Sequence, residues 1–381
     1  MSIASIRKDS TRSAWIRRGT FLAIGLLLLV VAPALLSGFR LALLGKYLCF
    51  AIVAIGIDIA WGYGGMLTLG QGVFFGLGAY CMGMMLKLQE VGPGRLPDFM
   101  AWSGIRELPT LWKPFYSAWF AIPAAILVPM AVAAALGAAV FRRRVRGPYF
   151  AIMSQALVAA FAVLLVGQQA LTGGTNGLTN ITRILGYDLN NTANRRGLYF
   201  VAVLCLGATY LLARQVVQSR YGRVLMAVRD REDRVRFLGY NPTIIKVVAF
   251  SLSAGMAGLA GALFVPTVGI ISPATIGVVP SIEMVIWVAL GGRGTLIGAV
   301  IGAVLVNLAK TSLSEAYPGG WLYLQGLLFV VVIAFAPKGL AGLAKLFKRR
   351  TGIAGQPQTD GSTVAEPPST GIAEPARISA K

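Results

Sequence analysis

Two carboxylates, Asp58 and Glu283, interrupt otherwise apolar runs of the sequence. A charge inside a bilayer costs about 3 kcal/mol on insertion scales, so such groups turn toward protein or water, as proton relays or as structural bonds. Neither has a histidine or a second charge close to it in sequence, which favours the structural bond. The chain contains no histidine at all, so histidine-based acid-base and metal chemistry is excluded. Cys49, Cys81 and Cys205 fall in apolar segments without CxxC or metal-ligand spacing and read as packed or lipid-facing residues. No Ser/Lys, His/Glu or paired-Asp motif points to an intramembrane enzyme.

The densest charge lies in Ser219 to Lys246, SRYGRVLMAVRDREDRVRFLGYNPTIIK. Val224, Leu225, Val228, Val235 and Leu238 recur at helical spacing among Arg223, Arg229, Arg231, Arg234, Arg236, Asp230, Glu232 and Asp233. The pattern predicts helical segments outside a bilayer, on which something soluble pushes or docks. Gly239 is placed to end a helix, and Asn241-Pro242 supplies an N-cap and first-turn pair for the next.

The elements that must position these residues are apolar helices. At 56% hydrophobic and 13% charged, with mean hydropathy +0.71, the 381 residues exceed what a soluble domain shows. The reading is all-α: a polytopic membrane protein of about ten spans, some short or broken. They fall near 20–36, 41–61, 66–86, 118–141, 149–167, 198–214, 243–266, 281–291, 295–310 and 322–336. The eighth is short enough to be broken or re-entrant. The basic opening and apolar run Phe21 to Val31 resemble a signal peptide, but Pro33 spoils the cleavage site, so an uncleaved first span is expected.

With both termini cytoplasmic, most of the 35 basic residues, including Arg142, Arg143, Arg144, Arg146 and Arg293, fall on the cytoplasmic side. The formal charge of +21 therefore reports membrane orientation rather than nucleic-acid binding. The division is 1–19 as a cytoplasmic N-terminal segment, 20–345 as the membrane domain with the charged loop at 219–243, and 346–381 as a disordered cytoplasmic tail.

Gly72 with Gly76, Ala257 with Gly261, and the series Gly294, Gly298 and Gly302 have the spacing of close helix packing. Such glycine-broken helices can also line a path and expose backbone polar groups. The loop LTGGTNGLTN (Leu171 to Asn180) lacks the Lys-Ser/Thr of a phosphate loop. It is either a turn-rich loop or one whose Thr175, Asn176 and Thr179 belong to an outer gate.

Five blocks stand out in order: GYGGMLTLGQGVFFGLGAY, FRRRVRGPYFAIMSQAL, TGGTNGLT, GRVLMAVRDREDRVRFLGY and VALGGRGTLIGAVIGA. Together they resemble the permease subunits of branched-chain amino acid type ABC importers, and within them the urea-type branch. The urea branch is carried by LPDFMAWSGIRELPTLWKPF, by PSIEMVIWVALGGRG, and by Gln71 where many amino acid permeases have His.

The resemblance implies a transport subunit of the bacterial inner membrane rather than an enzyme. It implies a second permease, two cytoplasmic ATPases that carry ATP and Mg, and an external substrate-binding protein, with no cofactor on this chain. Arg223, Val224, Val228, Arg229, Asp230, Glu232, Val235, Leu238 and Gly239 would form the coupling loop on which an ATPase docks. Arg234 and Val235 depart from the small residues common in Glu-Ala-Ala type loops. Suitable in type for a urea path are Thr68, Gln71, Gln155 and Asn176, with Glu283 a further candidate. The same importer class carrying amino acids or short amides, a passive channel for a small polar solute, and a membrane scaffold are the rival readings.

Overall fold

The computed structural model describes residues 27–317 apart from Pro93 and Arg146, together with Gly25 and six positions between 319 and 327. The segment 1–19, the span expected near 322–336 in most of its length, and the tail at 346–381 lie outside the described residues. The first expected span is described from Leu27 onward, as the short segments Leu27–Val31 and Ala32–Leu35.

Among the described residues, nine longer helices follow. They are α1 (Gly38–Ile57), continued by the π-helical turn Asp58–Tyr63, then α2 (Gln71–Val91), α3 (Ala118–Arg142), α4 (Pro148–Gly167) and α5 (Thr192–Gln218). After them come α6 (Arg220–Phe237), α7 (Pro242–Val268), α8 (Val278–Gly291) and α9 (Leu296–Ala316). A two-stranded hairpin, β1 (Arg183–Ile184) with β2 (Tyr187–Asp188), interrupts the loop before α5.

Among the described residues, seven helical stretches are long and apolar enough to cross a membrane: all of these helices except α2 and α6, with α8 extended back to Pro273. In place of the span expected at 66–86, a non-helical stretch through Gly64, Gly65 and Gly70 delays α2 to Gln71. Most residues of α2 are buried. The eighth expected span starts earlier than read: Pro273–Ile276 forms one short helix, and Gly277 separates it from α8.

Helices α1, α2 and α7 make the centre, with α3 and α5 packed outside them and the α8–α9 pair against α1. In α1 and α7, 72% of the apolar stretch is buried, against 28% in α4, which leaves one long face uncovered. Where α2 crosses α7, a Cβ on Gly78 would sit 2.1 Å from the Gly258 carbonyl oxygen, and one on Gly261 would sit 2.0 Å from that of Phe75. Backbones pass at distances that only glycine allows, and the crossing substitutes for a hydrophobic drive that lipid cannot supply. A Cβ on Gly72 or Gly76 would lie 2.3 or 2.6 Å from Ile276, one on Gly298 2.5 Å from the Gly291 carbonyl oxygen, and one on Gly302 2.1 Å from that of Trp287. For Gly294 the nearest atom is 3.8 Å away, and its φ of +77° is what the turn between α8 and α9 requires.

Candidate functional site

The charged stretch forms a knuckle between α5 and α7. Ser219 caps it, its hydroxyl accepting from the Gly222 N–H at 3.2 Å. At Arg231 the backbone leaves helical geometry (φ −149°, ψ 80°), so α6 is two helices meeting at a kink. The second ends as the sequence indicated. Gly239, at φ +86°, donates to the Arg236 carbonyl at 3.0 Å, and Tyr240 donates to that of Val235 at 3.4 Å, the paired bonds of a Schellman motif. Asn241 then caps α7, accepting from the Thr243 N–H at 3.0 Å, with Pro242 in the first turn.

The kinked helix is clamped to the membrane domain from its inner side. Tyr221, whose phenol burial pushes above its ordinary value, donates to the Ile245 carbonyl at 2.8 Å. Glu232 accepts from Lys246 at 2.6 Å and from Arg236 at 3.3 Å, tying the second half of α6 to the start of α7. Arg229 donates to the Gly62 carbonyl at 2.7 Å and to Asp230 at 2.9 Å. A cleft of about 340 Å³ opens where the knuckle meets Gly64–Leu67, Phe141, Val145 and Gly147.

This clamp corrects one expectation. Val228 and Val235, read as part of an outward docking face, are buried in the chain's own interior, and Val224 is half-buried. The apolar surface turned outward is at the tip instead: Phe237 is 90% exposed, Leu238 76% and Tyr240 53%. Phe237 and Tyr240 were missed because helical spacing alone does not tell which face of a short amphipathic helix meets its own protein. Arg223, Asp230 and Gly239 are exposed.

The polar path candidates divide. Thr68 and Gln71 are both fully buried around the non-helical stretch before α2. The Gln71 amide donates to the Ser253 hydroxyl on α7, and its Oε1 has no partner among the described residues. Ser154 on α4 accepts from the Leu69 N–H at 2.9 Å, and the neighbouring Gln155 also holds a buried, unpartnered Oε1. Thr68, Gln71, Ser154 and Ser253 thus gather at one place, a neutral set of amide and hydroxyls. Ser154 and Ser253 carried no sequence signal.

Asn176 is apart from them, exposed in the loop after α4. That loop is pinned to the segment after α7: Leu178 and Ile271 exchange backbone hydrogen bonds of 2.8 and 2.9 Å. Glu283 is apart as well, with both oxygens 2.8 Å from Lys310 on α9.

A helical membrane domain with a capped, kinked knuckle between two spans defines a class, the polytopic helical membrane protein. The pattern of the family described as "Branched-chain amino acid transport system / permease component" matches residues 39–336, and the chain belongs to that family. It is similar to the high-affinity branched-chain amino acid transport system permease protein LivM of Escherichia coli K12, 26% identical over 87% of this chain and 76% of the relative. It is also similar to LivH of the same organism, 24% identical over 78% of this chain and 93% of the relative. The autoinducer 2 import system permease protein LsrC of Salmonella typhi is 32% identical over 40% of this chain and 45% of the relative. No solved structure matches the chain. The chain is a multi-pass inner-membrane protein, its apolar helices being the form in which that membrane is crossed.

Proposed function

We propose that this chain is one permease subunit of an ATP-driven importer and that its cargo is urea. The observation that carries the coupling is the tip Phe237, Leu238 and Tyr240. It is apolar and exposed on a helix whose opposite face is locked onto α1 and α7. A membrane protein gains nothing from such a tip unless a soluble partner covers it. The partner is an ATPase, one of two in the assembly, which hold ATP and Mg while this chain holds neither.

Arg142, Arg143, Arg144, the knuckle and Arg293 share one end of the bundle, joined by the Arg229–Gly62 contact and by Thr243 near Phe141. The positive-inside rule makes that end cytoplasmic, and with α2 and the segments near 20–36 and 322–336 added to the seven apolar stretches the spans number ten and both termini are inside. A second permease covers the exposed face of α4, and a binding protein delivers solute to the opposite end.

The neutral cluster of Thr68, Gln71, Ser154 and Ser253 supports urea, a neutral solute with four N–H donors and a carbonyl acceptor. The reading that the cargo is a branched-chain amino acid is favoured by the relatives LivM and LivH.

The test of docking is Leu238→Arg in the assembled complex. Recovery of the ATPase with the permease should fall by about 5- to 30-fold, as for loss of an interface anchor, with permease abundance unchanged. Full ATPase recovery would refute the docking assignment. Uptake of labelled urea and labelled leucine by the same cells separates the two cargo readings, and solute flux that persists without the ATPases would make the chain a passive facilitator.

A further inference from the structure

We propose that the π-helical turn Asp58–Tyr63 carries movement of the knuckle to the α8–α9 hairpin, with Asp58 and Arg229 as the positioning residues at its two contacts. The inference rests on the reading that an ATPase moves the knuckle. The turn sits between the two parts and is bonded to both. On one side, Met66 bonds back to the Ala60 carbonyl instead of to that of Gly62. The Gly62 carbonyl is left as an orphan at the helix end, and Arg229 of the knuckle donates to it at 2.7 Å. A guanidinium at a helix C-terminus also meets the negative end of the backbone dipole.

On the other side, Asp58 Oδ1 accepts from the Gly294 N–H at 2.6 Å, across 236 residues of sequence. Its Oδ2 is buried without a hydrogen-bond partner among the described residues. The Arg293 guanidinium lies over the Trp61 ring, 5.4 Å from its centroid.

There is no slack in this arrangement. A Cβ on Gly62 would lie 2.1 Å from Asp58 Oδ1 and 2.6 Å from the Gly294 nitrogen, so the turn and the hairpin cannot slide independently. One on Gly65 would lie 2.7 Å from the Arg229 side chain. The output is an element that can change the path. Helix α8 places Ser281 against Gly72 of α2, one residue from Gln71, and its own N-terminal end is already broken at Gly277. π-Helical turns occur where function tolerates their poorer geometry.

The experiment uses the complete complex with its partner permease, ATPases and binding protein in liposomes. It measures labelled urea taken up per ATP hydrolysed, or labelled leucine if the wild type carries that. Asp58→Ala is expected to lower this ratio about 5-fold or more while ATP hydrolysis continues. Asp58→Asn, which keeps an acceptor oxygen for the Gly294 N–H, should restore it. Asp58 is fully buried, so neither change touches the docking surface.

Should the Asp58→Ala complex fail to assemble, Arg229→Met decides, and the same fall in ratio is expected of it. An unchanged ratio in Asp58→Ala or in Arg229→Met overturns the proposal. So does an Asp58→Asn variant as impaired as Asp58→Ala, since charge and not the bond would then matter. A wild-type complex that takes up neither solute with ATP would instead sink the importer reading.

Discussion

A single methyl group separates two kinds of glycine in the α8–α9 hairpin. At Gly302 it would lie 2.1 Å from the Trp287 carbonyl oxygen, where α9 leans on α8. At Gly294 its nearest neighbour would be the Gly62 carbonyl oxygen at 3.8 Å, an ordinary contact, and the cost is only that of a side chain at φ +77°. Gly302→Ala should therefore destabilise by about 1–3 kcal/mol through overpacking. Gly294→Ala should cost about 1 kcal/mol and keep its N–H on Asp58. Thermal unfolding of the detergent-purified protein should rank them in that order. The same distinction holds at the knuckle, where Gly239 is required by its turn and has nothing near its missing side chain.

The α8–α9 pair is also where charge enters the membrane domain. Glu283 and Lys310 bridge the two helices at 2.8 Å, and Lys46 of α1 lies over the Phe50 ring, 5.7 Å from its centroid. Beside them Tyr47 and Thr311 share a hydrogen bond between α1 and α9. Breaking a buried pair from one side leaves an uncompensated charge. The Lys310 side chain is 36% exposed, which reduces the penalty. Glu283→Gln should then lower stability by about 1–3 kcal/mol, read as a lower unfolding temperature. The double change Glu283→Gln with Lys310→Met should recover most of that loss. A Glu283→Gln protein as stable as wild type would show that the pair is not a structural bond. The pairing agrees with the structural reading of Glu283, whose partner 27 residues along was hidden because α8 and α9 had first to be folded into a hairpin.

At the scale of the whole molecule, what could be read in advance was what is local. The apolar runs, the Gly239 stop and the Asn241-Pro242 start depend on neighbours within a few residues, whereas Gly72 and Gly76 stand out by local spacing but meet Ile276, far along the chain. What could not be read depends on partners far along the chain. Arg229 reaches a carbonyl 167 residues away that is free only because the helix end is π-helical. Val228 and Val235 turned inward because the knuckle lies on its own membrane domain, and Gln71 met Ser253 only once α2 and α7 had crossed.

In the proposed function this chain passes solute only when an ATPase drives it through the knuckle. The direct measurement is uptake of labelled urea, with labelled leucine in parallel, into liposomes holding the complete complex, with and without ATP on the ATPase side. Uptake of urea should need ATP and be lost in Leu238→Arg. Equal uptake without ATP, or full uptake in Leu238→Arg, would contradict it.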